Sequence, residues 1–336
     1  MRCETLHTHT PELFEIAARK AADVLKTGQV VGLPTETVYG LAGNAFDPSA
    51  VQRIYDVKGR PSHNPIIVHV DSLEMARQCV SDWPETAQTL AAAFWPGPLT
   101  LVLPKSDRVP DIVTAGGSTV GIRWPGHPLM QTVIRYCGFP LAAPSANPAN
   151  QLSPTNAGHV LQGLGDKIPL IVDGGQSQVG IESTVVDLTV TPVRVLRPGI
   201  ISTESLAAAL NSPVQSAGTA GEGQSLRSPG MLKKHYSPRA KLVICDWRSE
   251  VSLVETLRTY PIPRHSIHII AHTHIPMSGE FGRVSVIPHD AEAFARAIYA
   301  ELHHCDAEKA QLIVVEALPE GPAWQGIADR LNRAAS

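Results

Sequence analysis

Between residues 212 and 239 the apolar periodicity that runs through the rest of the chain stops. The stretch SPVQSAGTAGEGQSLRSPGMLKKHYSPR is rich in Gly, Ser and Pro, a composition that makes tethers and not packed layers. A break of that length divides the 336 residues into two parts, 10–211 and 240–336, joined by a linker over 212–239. Each part is long enough to bury a core of its own. With 43% hydrophobic and 18% charged residues, both sides of the break belong to a chain that folds. No apolar run approaches the ~18 residues that a membrane span needs, and Met1 to Phe14 lacks an apolar signal core, so a cytoplasmic protein with no membrane partner is expected.

Within the first part, Thr10 as N-cap, Pro11 at the first helical position and apolar Leu13, Ile16, Ala17 and Val24 predict a helix over 11–27 ended by Gly28. Gln29 to Leu33 reads as a buried strand, and a second helix starts at Asp47-Pro48 and stops near Gly59. Further strand-like runs are Ile66–Val70, Leu99–Leu103, Val120–Arg123, Leu141–Ala143, Leu170–Val172, Ser183–Leu188 and Val193–Leu196. Their irregular alternation with helices predicts a mixed sheet. After the linker, strands at Lys241–Cys245, Ile267–Ala271, Val284–Ile287 and Leu312–Val315 alternate with helices at Val251–Leu257, Ala291–His304 and Ala323–Asn332, the pattern of a small α/β domain.

The segments with chemical potential fall mostly in the first part. Pro34-Thr35-Glu36-Thr37-Val38-Tyr39-Gly40-Leu41 follows a buried strand, where α/β proteins tend to place ligand contacts; locally bonded threonines in a turn are the alternative. Lys58 and Arg60, two cations just past a helix end, suit a polyphosphate, or else a helix C-terminus. Asn64 and His69 continue that stretch into a strand, with His69 at its far end. Strand periodicity places Thr119, Gly121 and Arg123 on one face, where Arg123 suits a carboxylate or phosphate ligand, or else an edge-strand salt bridge. Ala143, Ser145, Asn147 and Ser153 lie in a loop of small residues locked by prolines; with no G-x-S-x-G elbow, binding is its better reading than covalent catalysis. Ser183 enters a strand and Arg197 ends one. No Walker loop and no G-x-G-x-x-G occur, so a nucleotide would be held by Lys58, Arg60, Arg123 and Arg197 instead. Inside the linker, residues 228–238 bring Lys233, Lys234, His235 and Tyr236 together, as a flap over the first cleft or a docking segment for the second domain. The remaining histidines, among them His272, His274, His303 and His304, lack zinc spacing and read as surface residues. Five cysteines without a C-x-x-C pair read as reduced thiols.

Taken in order, PTETVYGL, KGRP with NPIIVH, the GIRWP strand, PSAN, GIESTVVD, RPG and SPGMLKKHYSP resemble the YrdC-like L-threonylcarbamoyladenylate synthase family in its two-domain form. The motifs span residues 34–238, about two thirds of the chain, and the K-x-R and S-x-N pairs are the most specific. The resemblance implies a YrdC-like twisted mixed sheet with helices plus a small Rossmann-like α/β domain. It implies conversion of L-threonine, bicarbonate and ATP to threonylcarbamoyl-AMP and pyrophosphate, with a separate transferase then modifying tRNA adenosine 37. By motif position, Thr35, His69, Arg123, Ala143 and Ser183 would bind L-threonine. Lys58, Arg60, Asn64, Thr119, Ser145, Asn147, Ser153, Arg197 and Tyr236 would bind ATP, with Lys58 and Arg60 as the catalytic cations. Mg²⁺ is expected with the triphosphate, its protein ligands unassigned. Two rival readings are a double-stranded RNA-binding or ribosome-assembly module and a hydrogenase-maturation carbamoyl-transfer domain. The charge balance, 28 Lys plus Arg against 31 Asp plus Glu, weighs against the first and against direct tRNA binding, and the lack of a cysteine cluster weighs against the second.

Overall fold

The computed structural model describes residues 3–216 and 236–336. They fall into two compact units: residues up to Ala149 with Ser153–Ser216, and Asn150–Leu152 with Tyr236–Ser336. Residues 228–235 of the flap segment lie outside the described residues.

The strands of the first unit are, in chain order, β1 (Glu4–His7), β2 (Val31–Leu33), β3 (Gly40–Asn44), β4 (Val68–His69), β5 (Leu99–Pro104), β6 (Thr119–Arg123), β7 (Leu141–Ala142), β8 (Leu170–Asp173), β9 (Thr184–Asp187), β10 (Arg194–Arg197) and β11 (Gln215–Ser216). They form one sheet in the spatial order β1-β8-β2-β3-β7-β4-β6-β5-β9-β10-β11. The β2/β8, β4/β6 and β5/β9 pairs are parallel, and β2/β3, β4/β7 and β5/β6 are antiparallel, so the sheet is mixed as expected. Its helices are α1 (Pro11–Lys26), α2 (Pro48–Lys58), α3 (Leu73–Gln78), α4 (Glu85–Phe94), α5 (Pro128–Cys137), α6 (Ala157–Leu164) and α7 (Thr203–Leu210).

Local rules explain the helix that carries the first candidate cation. The Asp47 side chain caps α2 by accepting from the Ser49 amide at 2.9 Å, Pro48 sets the first φ, and Gly59 ends the helix at φ 61°. Val51, Ile54 and Tyr55 of α2 enter a core shared with Leu90, Leu101, Val120 and Ile122. A separate core joins Ala17, Ala21 and Leu25 of α1 to Leu129, Val133 and Ile134 of α5 over Val31, Leu33 and Val172. Apolar residues thus recur at helical spacing on the faces that meet the sheet.

Several elements go beyond the sequence reading. Strand β1 lies before residue 10, and β11 pairs in parallel with β10 inside the stretch read as linker. Strand β3, Gly-Leu-Ala-Gly-Asn, has little intrinsic strand preference and is held by its neighbours β2 and β7. Helix α5 carries a legible apolar period at 129, 130, 133, 134 and 137 that the reading left out.

The second unit is a four-stranded parallel sheet of β12 (Lys241–Cys245), β13 (Ile267–Ala271), β14 (Arg283–Val286) and β15 (Leu312–Glu316), in the order β12-β15-β13-β14. Helices α8 (Glu250–Leu257), α9 (Ala291–Ala307) and α10 (Gln325–Ala335) complete it. Trp247, Leu253, Ile269, Phe281 and Val314 are part of its own core. The reading of His272 as a surface residue is corrected here: its side chain is 4% exposed, lies edge-on to His289 and Phe294, and bonds through Nε2 to the Ala317 carbonyl.

Candidate functional site

The turn between β2 and β3 is closed by its own hydroxyls. The buried Thr35 hydroxyl donates to the Val38 carbonyl at 2.6 Å and lies 2.9 Å from Thr37 Oγ1. Arg123, the last residue of β6, reaches this turn: Nη1 donates to Thr37 Oγ1 at 2.9 Å and Nε to the Gly97 carbonyl at 3.3 Å. Its Nη2 stands 2.8 Å from Glu36 Oε1 in an ion pair whose side chains are 5% and 12% exposed. His69 ends β4 in parallel register with Arg123. Burial, reinforced by the Arg123 charge, pushes the His69 imidazole down to about 3, so it is neutral and presents an uncharged ring. The sequence-stretch placement of His69 away from the other candidates thus resolves into adjacency across two parallel strands at their carboxyl ends.

Ala143 and Ser145 approach the same turn from the other side. The Ala143 amide donates to the Ile67 carbonyl, and Ser145 forms a bridge with Gly40. A Cβ on Gly40 would sit 3.2 Å from the Ala143 methyl, which accounts for the glycine. Ser183 lies behind, its hydroxyl 2.8 Å from Thr100 Oγ1, while Arg197 donates to the Ser183 carbonyl at 3.0 Å and hydroxyl at 3.1 Å.

The two signature pairs meet. The buried Lys58 ammonium donates to the carbonyls of Ser145 and Asn147, joining the K-x-R helix end to the S-x-N loop. Burial and the neighbouring Arg60 hold its pKa well below the ordinary lysine range. Arg60 fastens the next loop through the carbonyls of Asn64 at 3.1 Å and Pro65 at 2.8 Å. Thr119 and Gly121 line a small pocket together with Pro65, Ile67 and Thr100. The Ser153 hydroxyl donates to Glu182. Tyr236 is buried in the second unit, 6.0 Å from the Tyr299 ring with the Arg330 guanidinium 5.4 Å over it.

Sequence reasoning assigned no role to Glu36, Thr37, Thr100 or Glu182. Glu36, Thr37 and Glu182 stand inside motifs already marked, and only Thr100, a buried hydroxyl within an apolar strand, gave no signal.

Residues 23–199 match the Sua5/YciO/YrdC family model, described as "Telomere recombination", and residues 201–336 match "Threonylcarbamoyl-AMP synthase, C-terminal domain". The chain is 37% identical over 322 residues to a threonylcarbamoyl-AMP synthase of Pyrococcus abyssi, covering 94% of this chain and 93% of that protein. It is also 37% identical over 335 residues to the threonylcarbamoyl-AMP synthase of Bacillus subtilis, covering 99% and 95%. The crystal structure of P. abyssi Sua5 complexed with L-threonine superposes with a TM-score of 0.90 at 34% identity, over 100% of this chain and 98% of that one.

Proposed function

The chain belongs to the threonylcarbamoyl-AMP synthase family, and we propose on that premise that it converts L-threonine, bicarbonate and ATP to threonylcarbamoyl-AMP and pyrophosphate. The observation that carries the reading is the convergence of the K-x-R and S-x-N loops through Lys58, on the same sheet as the Arg123–His69 pair.

The chemistry needs no covalent enzyme intermediate. The threonine amine becomes a carbamate, whose oxygen attacks the α-phosphorus of ATP in line with departing pyrophosphate. Orientation, charge stabilisation and exclusion of water from the labile carbamate and anhydride then supply the catalysis. In this reading Arg123 takes the threonine carboxylate and neutral His69 its hydroxyl, with Thr35, Ala143 and Ser183 shaping the same end. ATP runs along Lys58, Arg60, Asn64, Thr119, Ser145, Asn147, Ser153 and Arg197. Lys58 and Arg60 both hold loop carbonyls, so part of their contribution is to shape the nucleotide loops as well as to face phosphate.

The nucleotide is taken as its Mg²⁺ complex. Among the described residues no group of three or more His, Cys, Asp or Glu side chains is placed to hold a metal, which fits an ion carried mainly by phosphates and water. The product would pass to a separate tRNA transferase. No helix among the described residues is long and apolar enough to cross a membrane, and a cytoplasmic setting, where the tRNA substrate resides, belongs to the same proposal.

The test is pyrophosphate release from ATP with threonine and bicarbonate omitted in turn. Release that depends on both is expected. Turnover indifferent to threonine would sink the reading, and salt-dependent RNA binding without turnover would replace it with the nucleic-acid one.

A further inference from the structure

Buried polar atoms without a hydrogen bond are rare in folded proteins, because each has given up its water without gaining a partner. Four of them gather around the Thr35–Thr37 turn: Glu36 Oε1, Glu36 Oε2, Arg123 Nη2 and His69 Nδ1. The 2.8 Å contact between Glu36 and Arg123 brings opposite charges together without the direction of a hydrogen bond, so both groups keep bonding capacity for something else. That capacity has three chemical kinds: an anionic acceptor, a cationic donor and a neutral imidazole.

L-Threonine has the complement of this set. Its carboxylate suits Arg123 and its hydroxyl suits His69, which leaves the ammonium. We propose that Glu36 binds the α-ammonium group of the amino-acid substrate, so that the buried Glu36–Arg123 pair is a receptor for a zwitterion and not a structural salt bridge. The inference rests on the synthase reading and adds a residue to it. A buried cation alone would attract any small carboxylate, whereas a buried ion pair admits only a ligand bearing both charges. The backbone at Gly126 runs alongside the Glu36 carboxyl, where a Cβ would stand 3.4 Å from Cδ and Oε1, at ordinary contact distance. His127, which caps α5, also feels the Glu36 charge, although burial is the larger influence and lowers its pKa.

The proposal is tested by titrating calorimetrically the full-length protein with L-threonine and with (R)-3-hydroxybutanoate, which keeps the carboxylate and hydroxyl but lacks the ammonium. Wild-type protein should prefer threonine. Glu36→Gln should weaken threonine by about tenfold or more, the scale of a charge-assisted hydrogen bond, and leave the hydroxy acid unchanged or tighter. Glu36→Asp, which keeps the charge, should retain most of the preference. Equal threonine affinity in wild type and Glu36→Gln, or a parallel loss of both ligands in that variant, would overturn the assignment of Glu36 while leaving the synthase reading intact. If the wild-type protein bound no threonine, the synthase reading itself would fail, and this inference with it.

Discussion

At the scale of single residues, the candidate site is built from charges held away from water, and their burial decides how they respond to change. Lys58 is the clearest case. Its ammonium donates to two loop carbonyls, so Lys58→Ala takes that donor from Ser145 and Asn147 as well as removing a cation. A stability loss of about 1–3 kcal/mol is expected beside the loss of pyrophosphate release. Chemical denaturation checks this, and an unchanged unfolding midpoint would mean that the lysine does not hold the loop. His69 makes a different prediction. Its folded pKa of about 3 lies below the value near 6.5 of an unfolded histidine, so unfolding takes up a proton between those limits. Stability should therefore fall as pH drops from about 6.5 toward 3, with a contribution approaching about 1.4 kcal/mol per pH unit. Denaturation midpoints measured at several pH values should show a shallower slope for His69→Gln. An identical slope in both proteins would place the ring in water.

At the scale of elements, strands deliver the site and short loops complete it. Strands β4 and β6 run in parallel and end together, which sets His69 beside Arg123 although 54 positions separate them in the chain. Strand β9 is steered by a glycine. A Cβ on Gly199 would fall 2.5 Å from the Thr184 amide nitrogen and 2.8 Å from the Glu182 carbonyl oxygen, and backbone atoms at such distances have nowhere to retreat. Gly199→Ala should push Arg197 off the Ser183 carbonyl and destabilise the chain by about 1–3 kcal/mol. Gly59→Ala is the control, since nothing stands within 4 Å of its Cβ and only the left-handed φ of 61° opposes it, at about 1 kcal/mol. Thermal melts of the two variants side by side would show whether close approach or backbone conformation is the greater constraint; equal losses would discount the steric argument.

At the scale of the whole molecule each unit buries apolar side chains of its own, and ligand linkage should tell the units apart. In calorimetry, L-threonine should raise the transition of the first unit and leave that of the second in place, because binding stabilises only what it binds. A single transition that shifted as a whole would contradict this. The sequence by itself determined the capped helix at 48–58, the mixed sheet and the family's motifs, because composition, caps and apolar period act over a few neighbouring residues. Only the tertiary structure decided that Glu36 faces Arg123, that Lys58 turns inward onto a loop more than eighty residues away, that Gly40–Asn44 is a strand and that His272 is buried. Each of those outcomes depends on which partner a group meets once the sheet has closed, and desolvation there sets the preference that local sequence leaves undecided.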